Sequence, residues 1–176
     1  VSTASGIPDY RSKGGLYDKG DERPEYLLST QALKNEPEKM YRFMKENMYY
    51  PDAQPNVIHQ KMAALTQQKR AKIITQNVDG LHEMAGAEDV INFHGSWREI
   101  YGVKTHQADT IEHYLESMYQ QETHDILRPA ITLYGEMPFR VDDAMNWVQA
   151  ADLIVVVGTS LVVYPFAGLL QYAKFG

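Results

Sequence analysis

Lys72-Ile73-Ile74-Thr75-Gln76-Asn77-Val78-Asp79-Gly80-Leu81-His82 is the stretch on which the reading of this chain turns. It begins as a short β-branched run, the mark of a buried parallel strand. It ends in polar residues and a glycine, as such a strand does where it meets a ligand crevice, because open α/β sheets bind ligands outside the carboxyl ends of their strands. Two further stretches share the pattern. Val90-Ile91-Asn92-Phe93-His94-Gly95 delivers one histidine beside a glycine, and Asp152-Leu153-Ile154-Val155-Val156-Val157-Gly158-Thr159-Ser160-Leu161 ends in a glycine and two hydroxyls. Three strand ends with polar or glycine tips describe one site.

The chain has 176 residues, 44% of them hydrophobic, with a net charge of -6 and an isoelectric point near 5.5. That length suits one domain with a sizeable core and an inserted subdomain. The acidic balance argues against a nucleic-acid surface, and no apolar run approaches the ~20 residues of a membrane span. There is no cysteine, which excludes disulfides, a thiol nucleophile and thiolate metal ligands and is compatible with a cytoplasmic protein. Val1-Ser2-Thr3-Ala4-Ser5-Gly6 lacks an initiator Met, and Phe175-Gly176 follows a helix-like stretch, so both ends read as cuts in a longer chain.

Residues 1–23 are loop-like, and loops of that length in a compact domain are usually functional or mobile. Asp9 and Arg11 beside Ile7-Pro8 suit a ligand, and equally suit a solvated turn. From Pro24 to Lys69 the pattern is helical. Pro37-Glu38 opens one helix, with Met40, Phe43, Met44 and Met48 as its apolar face. Asn56 caps another, with Ile58, Met62 and Leu65 sharing a face; His59 there reads as a structural histidine. Then come a strand at 72–75, a helical turn over 81–85 closed by Gly86, and a strand at 90–93. Residues 97–126 read as a polar excursion from the main sheet with one helix around Ile111, Tyr114, Leu115 and Met118.

Strand character returns over 127–136, with Pro129 at the start. A helix over 142–151, a core strand over 153–157 and a helix over 165–173 follow. The alternation implies an α/β fold with a parallel sheet flanked by helices. The resulting division is a loop of the large domain over 1–23, a helical insertion over 24–60, α/β core over 61–100, a small module over 101–126, and core again over 127–176.

His94 at a strand end is the natural general base, and its force comes from company with Asn77 and Asp79. A carboxylate can take the N–H of a neutral amide such as nicotinamide while a backbone N–H meets its oxygen. Gly158-Thr159-Ser160 offers backbone N–H groups and hydroxyls suited to phosphate. Each motif alone is also an ordinary strand-to-loop turn. The residues by themselves reach a nucleotide-binding α/β domain with a candidate base.

Taken together, Ser5-Gly6-Ile7-Pro8-Asp9-Tyr10-Arg11, Thr75-Gln76-Asn77-Val78-Asp79-Gly80-Leu81-His82, His94-Gly95, Arg128-Pro129, Tyr134-Gly135-Glu136 and Gly158-Thr159-Ser160-Leu161-Val162-Val163-Tyr164-Pro165 resemble, in content and order, the sirtuins, NAD-dependent protein-lysine deacylases. The stretch from Pro24 to Leu65 looks most like bacterial members. The resemblance implies a Rossmann-like large domain with NAD in the cleft facing a smaller domain. Ser2 and Ala4 through Arg11, including Ile7, Asp9 and Tyr10, would form the cofactor loop. Gln76 would touch the nicotinamide ribose, and Asn77, Val78 and Asp79 would make the nicotinamide pocket with Ile7. Gly158, Thr159 and Ser160 would hold the rest of the cofactor.

The reaction so implied has the acyl oxygen of a modified lysine attack the ribose carbon as nicotinamide leaves. His94, with Asn77 and Asp79 as its catalytic company, then helps a ribose hydroxyl attack the resulting imidate. Products would be free lysine, nicotinamide and O-acyl-ADP-ribose. The acylated peptide would add as a strand between Thr132, Tyr134, Gly135 and Glu136 on one side and Val162, Val163 and Tyr164 on the other. Thr132 stands where many relatives have Val.

The departure from the family pattern is zinc. Two Cys-x-x-Cys pairs would fall at Gly102 and Thr105 and near Gln120 and Thr123, none of which supplies a thiolate. His106, His113 and His124 lie nearby without tetrahedral-site spacing. The expectation is a zinc-free module held by packing of Tyr101, Ile111, Tyr114, Leu115 and Met118, with no metal ligand in the chain. Two other readings are protein mono-ADP-ribosyl transfer and a non-catalytic NAD-sensing module; retention of Asn77, Asp79 and His94 favours deacylation. The expected partner is an acylated protein lysine, with no nucleic acid and no membrane.

Overall fold

Ile73–Thr75 (β1) and Val90–Asn92 (β2) pair in parallel, Ile73 opposite Val90 and Thr75 opposite Asn92, so both strands end at one level. The computed structural model that shows this describes residues 1–9 and 22–174. Between the strands, Leu81–Met84 (α5) starts at Gly80, whose φ of 70° is left-handed and favours glycine. Val141–Ala150 (α7) lays Ala144 and Val148 on Ile91, Phe93 and Leu169, which forms the core of the large domain. The alternation of strand and helix therefore gives a parallel sheet covered by helices, as expected.

The helical insertion is Pro24–Leu27 (α1), Thr30–Asn35 (α2) and Pro37–Asn47 (α3). Ser29 caps α2 by accepting the Ala32 amide at 3.1 Å. The apolar face of α3 is as the spacing predicts: Met40, Met44 and Met48 are buried against Trp97, Ile131 and Leu133. Val57–Gln67 (α4) follows, capped by Asn56, whose Oδ1 accepts the Ile58 amide at 2.9 Å.

The face of α4 is the reverse of that expected. Ile58 and Leu65 are each 40% exposed, whereas His59, Ala63 and Thr66 are buried. The helix packs its polar side inward because that side meets α5, with the His59 and His82 rings 5.0 Å apart.

Gly95–Gly102 (β3), Ala108–Asp109 (β4) and Leu127–Ile131 (β5) form an antiparallel sheet in the order β4-β3-β5. Residues 127–131 thus leave the parallel core to which the sequence assigns them. β5 runs against β3 from Gly95 opposite Ile131 to Gly102 opposite Leu127, with a register shift between Ser96 and Ile100. β5 is buried at every position, the pattern of a parallel core strand, because the sheet lies between α3 and Ile111–Glu116 (α6). Tyr114 and Met118 are buried as expected, and Tyr101, Ile111 and Leu115 are half-buried.

Residues 153–157, expected as a core strand, form no strand among the described residues. Ile154 packs on the large-domain core, while Leu153 and Val155 are 78% and 72% exposed. A β-branched run promises a strand, but a ladder needs a partner, and β1 pairs only with β2 among the described residues. Residues 166–172, expected as a helix, are a 3-10 helix. Among the described residues no helix is long and apolar enough to cross a membrane.

Candidate active site

The tip of β1 turns by local bonds. Thr75 Oγ1 accepts the Asn77 amide at 3.0 Å, and Asp79 Oδ1 accepts the Leu81 amide at 3.0 Å, starting α5. Arg98 Nε donates to the Asp79 carbonyl at 2.8 Å from β3. Ser2 meets this tip from the N-terminal 3-10 helix, Ser2–Ser5. Its hydroxyl donates to Asp79 Oδ2 at 2.5 Å, accepts from Asn77 Nδ2 at 3.0 Å and lies 3.5 Å from His59 Nε2.

The His59 ring is oriented from its other side, where Nδ1 accepts the Asn56 amide at 3.1 Å. In the neutral ring the proton therefore sits on Nε2, facing Ser2. One donor and two acceptor positions of the Ser2 hydroxyl are then all used. Burial holds His59 below the usual histidine range, with His82 adding to that effect and Asp79 opposing it. Burial lowers His82 likewise. The sequence offered one signal for His59 as part of the site: its place three residues after the cap Asn56, whose Nδ2 also holds Val1 O at 3.0 Å.

Above this network lies a cavity of about 290 Å³. Ser2, Ile7, Asp9, Asn77, Val78, Asp79 and Gly158, all expected at the cofactor, line it together. Met48, Tyr50 and Trp97 line it too and were not singled out in the sequence; Met48 lies on a stripe that reads as plain core. Ala4 is exposed on the 3-10 helix, and Ser160 is exposed. Gln76 does not line the cavity; its Oε1 accepts from Thr159 Oγ1 at 3.1 Å, next to the lining residue Gly158. Tyr10 and Arg11 lie outside the described residues. A second cavity of about 310 Å³, between α7 and the 3-10 helix at 166–172, has no acid or base beyond the phenols of Tyr164 and Tyr172.

His94 ends β2, beside the tip of β1. Burial lowers its pKa, and a bond to the backbone carbonyl of Gln76 partly offsets this. The nitrogen facing that carbonyl carries the proton of the neutral ring, and the other is left as an acceptor, the arrangement of a base. The His94 carbonyl accepts the Thr132 amide at 2.8 Å.

The residues expected at the peptide are less uniform. Tyr134 N donates to Leu28 O at 2.9 Å and Tyr134 O accepts from Thr30 N at 3.0 Å, so its backbone already pairs with the helical insertion. Gly135 turns the chain at φ 101°. Glu136 binds Arg128 through both oxygens, at 2.8 and 2.9 Å. The Thr132 hydroxyl is buried with no hydrogen-bond partner among the described residues. Val162 and Tyr164 are exposed, and Val163 O accepts the Ala167 amide at 2.8 Å. Of the three histidines near the module, His113 bonds Asp109 at 3.0 Å and His106 stacks on Tyr101. Among the described residues no three His, Cys, Asp or Glu side chains are grouped to hold a metal.

Known proteins resemble this chain over nearly its whole length. Relatives named NAD-dependent protein deacetylase include one from Enterococcus faecalis, 51% identical over 176 residues and covering 99% of this chain and 73% of that one. Another, from Listeria monocytogenes serotype 4b, is 51% identical over 174 residues, 98% of this chain and 76% of that one. A Sir2 homolog–NAD complex superposes with a TM-score of 0.85 at 38% identity, over 99% of this chain and 70% of that one. A Sir2 variant bound to a deacetylated p53 peptide and 3′-O-acetyl ADP-ribose gives 0.87 at 34% identity, over 98% and 73%. The Sir2 family model matches residues 1–165. With that match over nearly the whole chain and relatives at about half identity, the chain belongs to the Sir2 family.

Proposed function

We propose that this chain removes acetyl or other acyl groups from protein lysines with NAD as cosubstrate, giving nicotinamide and O-acyl-ADP-ribose. One observation carries the reading. Ser2, Asn77 and Asp79 converge in one cavity, with a half-buried neutral histidine just past the end of the adjacent strand. The relatives named NAD-dependent protein deacetylase support it.

The residues fit NAD. The cavity is near the small end of the ~300–1,000 Å³ of ligand pockets and suits one end of a dinucleotide. Gly158, at φ 66°, takes a left-handed conformation that favours glycine and lines the cavity with its backbone. When bound, NAD supplies a ribose carbon that accepts the acyl oxygen as nicotinamide departs. Asn77 and Asp79 hold the carboxamide, with Val78 and Ile7 as apolar walls. Ser2 keeps the Asp79 carboxylate and the Asn77 amide at fixed separation. Gln76, tied to Thr159, would hold the ribose. His94 takes the hydroxyl proton on its free nitrogen. Gly158, Thr159 and Ser160 would face the phosphates, and Asp9, which lines the cavity, would lie beside the cofactor. Thr132, Gly135 and Glu136 line one side of the acylated peptide, Val162 to Tyr164 the other, and Tyr134 anchors the first side to the helical insertion. The reaction belongs in the cytoplasm, where NAD and acylated proteins meet.

The test follows nicotinamide and deacylated peptide by mass, with NAD and an acetyl-lysine peptide, beside His94→Ala. Equal amounts of both products, lost in the variant, are expected. Nicotinamide release without deacylation would replace the proposal by ADP-ribosyl transfer, and NAD binding without turnover by a sensor.

A further inference from the structure

Two turns of the small module are copies of one another. In the first, His106 N donates to Gly102 O at 2.9 Å and Gly102 N to Gln107 O at 3.0 Å; in the second, His124 N donates to Gln120 O at 2.9 Å and Gln120 N to Asp125 O at 2.8 Å. Each bends at a left-handed histidine, φ 57° at His106 and 55° at His124. In each, a threonine one residue earlier accepts the amide two residues on: Thr105 Oγ1 from Gln107 at 3.3 Å, Thr123 Oγ1 from Asp125 at 3.2 Å.

The first and fourth positions of the two turns face one centre. Thr105 and Thr123 both donate to Gln120 Oε1, at 3.1 and 2.8 Å. A Cβ on Gly102 would stand 2.4 Å from Thr105 Oγ1 and 3.1 Å from Gln120 Oε1. Two positions from each of two like turns is how a four-ligand tetrahedral site is built, and these are the positions where the family's zinc cysteines are expected. The groups present do not fit the metal. Gly102 has no side chain, and two hydroxyls and a neutral amide are poor partners for zinc beside thiolate or imidazole. Asp125 fills the centre instead. Its Oδ2 accepts the amides of Lys104 and Thr105 at 2.7 and 2.8 Å, and its Oδ1 accepts the Ile126 amide at 2.9 Å. Asp125 and Gln120 are each 7% exposed.

We infer that the twin turns are a metal-site scaffold that this chain closes without metal, Asp125 and Gln120 tying together the four positions a zinc ion would bridge. The module folds with no metal, and regains a zinc site when those positions carry thiols. The inference rests on membership of the family and stands apart from the proposed reaction.

The test compares the purified chain, D125N, and the five-fold variant G102C/T105C/Q120C/T123C/D125A. Asp125 is trimmed in the last because a Cβ at 102 would stand 2.6 Å from its Oδ2. Metal is read by elemental analysis and local stability by peptide-resolved amide exchange. The unaltered chain is expected to hold less than about 0.1 zinc per chain, with exchange over 102–127 indifferent to a chelator. D125N is expected to exchange there about ten-fold faster, with α7 unchanged. The five-fold variant is expected to take one zinc per chain, and with cobalt to show tetrathiolate absorption bands. Stoichiometric zinc in the unaltered chain, unchanged exchange in D125N, or a folded five-fold variant that takes neither metal would each overturn the inference. If the five-fold variant does not fold, zinc content and D125N exchange decide it.

Discussion

Replacing Glu136 with Gln tests the pair that shapes the turn beside the peptide side of the site. Arg128 is 6% exposed and spends its donors on Glu136, on the Ile131 carbonyl at 2.8 Å and on the Pro129 carbonyl at 3.2 Å, with its guanidinium 5.4 Å from the Tyr101 ring centre. Glu136 also accepts the Leu133 amide at 2.9 Å. Removing one partner of a buried pair costs about 3–5 kcal/mol. The Glu136 side chain is 31% exposed, so water replaces part of what is lost and about 2–3 kcal/mol is expected. For a chain of this size that is a fall in Tm of roughly 5–10 °C.

The sign with pH follows from the carboxyl. Burial alone would raise it, but Arg128 and the Leu133 amide outweigh burial and hold it below the ordinary glutamate range. Its contribution is complete above the unfolded value of about 4.3 and is lost as pH falls through the lower folded value. Thermal melts of both proteins at pH 7 and at pH 3 measure this. A gap under about 1 °C at pH 7, or a gap undiminished at pH 3, would refute the reasoning.

Because burial keeps His94 below the ordinary histidine value of about 6.5, the acid limb of kcat/KM is expected below that pH; a limb above pH 7.5 contradicts a neutral His94 base. Gly95→Ala places a Cβ 1.9 Å from the Ala130 carbonyl at φ 86°. It is expected to cost more than about 3 kcal/mol in urea unfolding, and a loss under about 1 kcal/mol would show that β3 and β5 are less closely paired. Thr132→Val removes a buried hydroxyl that has no partner among the described residues and is expected to raise stability by about 1 kcal/mol; destabilisation would mean that the hydroxyl has a partner in solution.

The site was legible where its chemistry is local. The β1 tip, with Asn77, Asp79 and Gly80, declares itself within one stretch of eleven residues. The His94 strand does so too, and both tips meet because the two strands pair in parallel. What the sequence hid depends on neighbours far along the chain. The inward face of α4 is set by α5, not by the Ile58 and Leu65 stripe. β3 carries Arg98 and Glu99 within an otherwise buried alternation, so the antiparallel sheet looked like a polar excursion. β5 then read as parallel core because burial says nothing of strand direction. The apolar run at 153–157 shows the converse, a strong strand composition without a ladder partner among the described residues.

If the proposed reaction holds, the bond from Thr132 N to the His94 carbonyl would have a kinetic consequence. In the proposed reaction the peptide lies along one side of this link and the proton is taken on the other. A lysine seated one residue out of step would press on Thr132 and tilt the imidazole as it did so. The enzyme would then discriminate against misplaced substrates in kcat as well as in KM, using a single amide as its gauge.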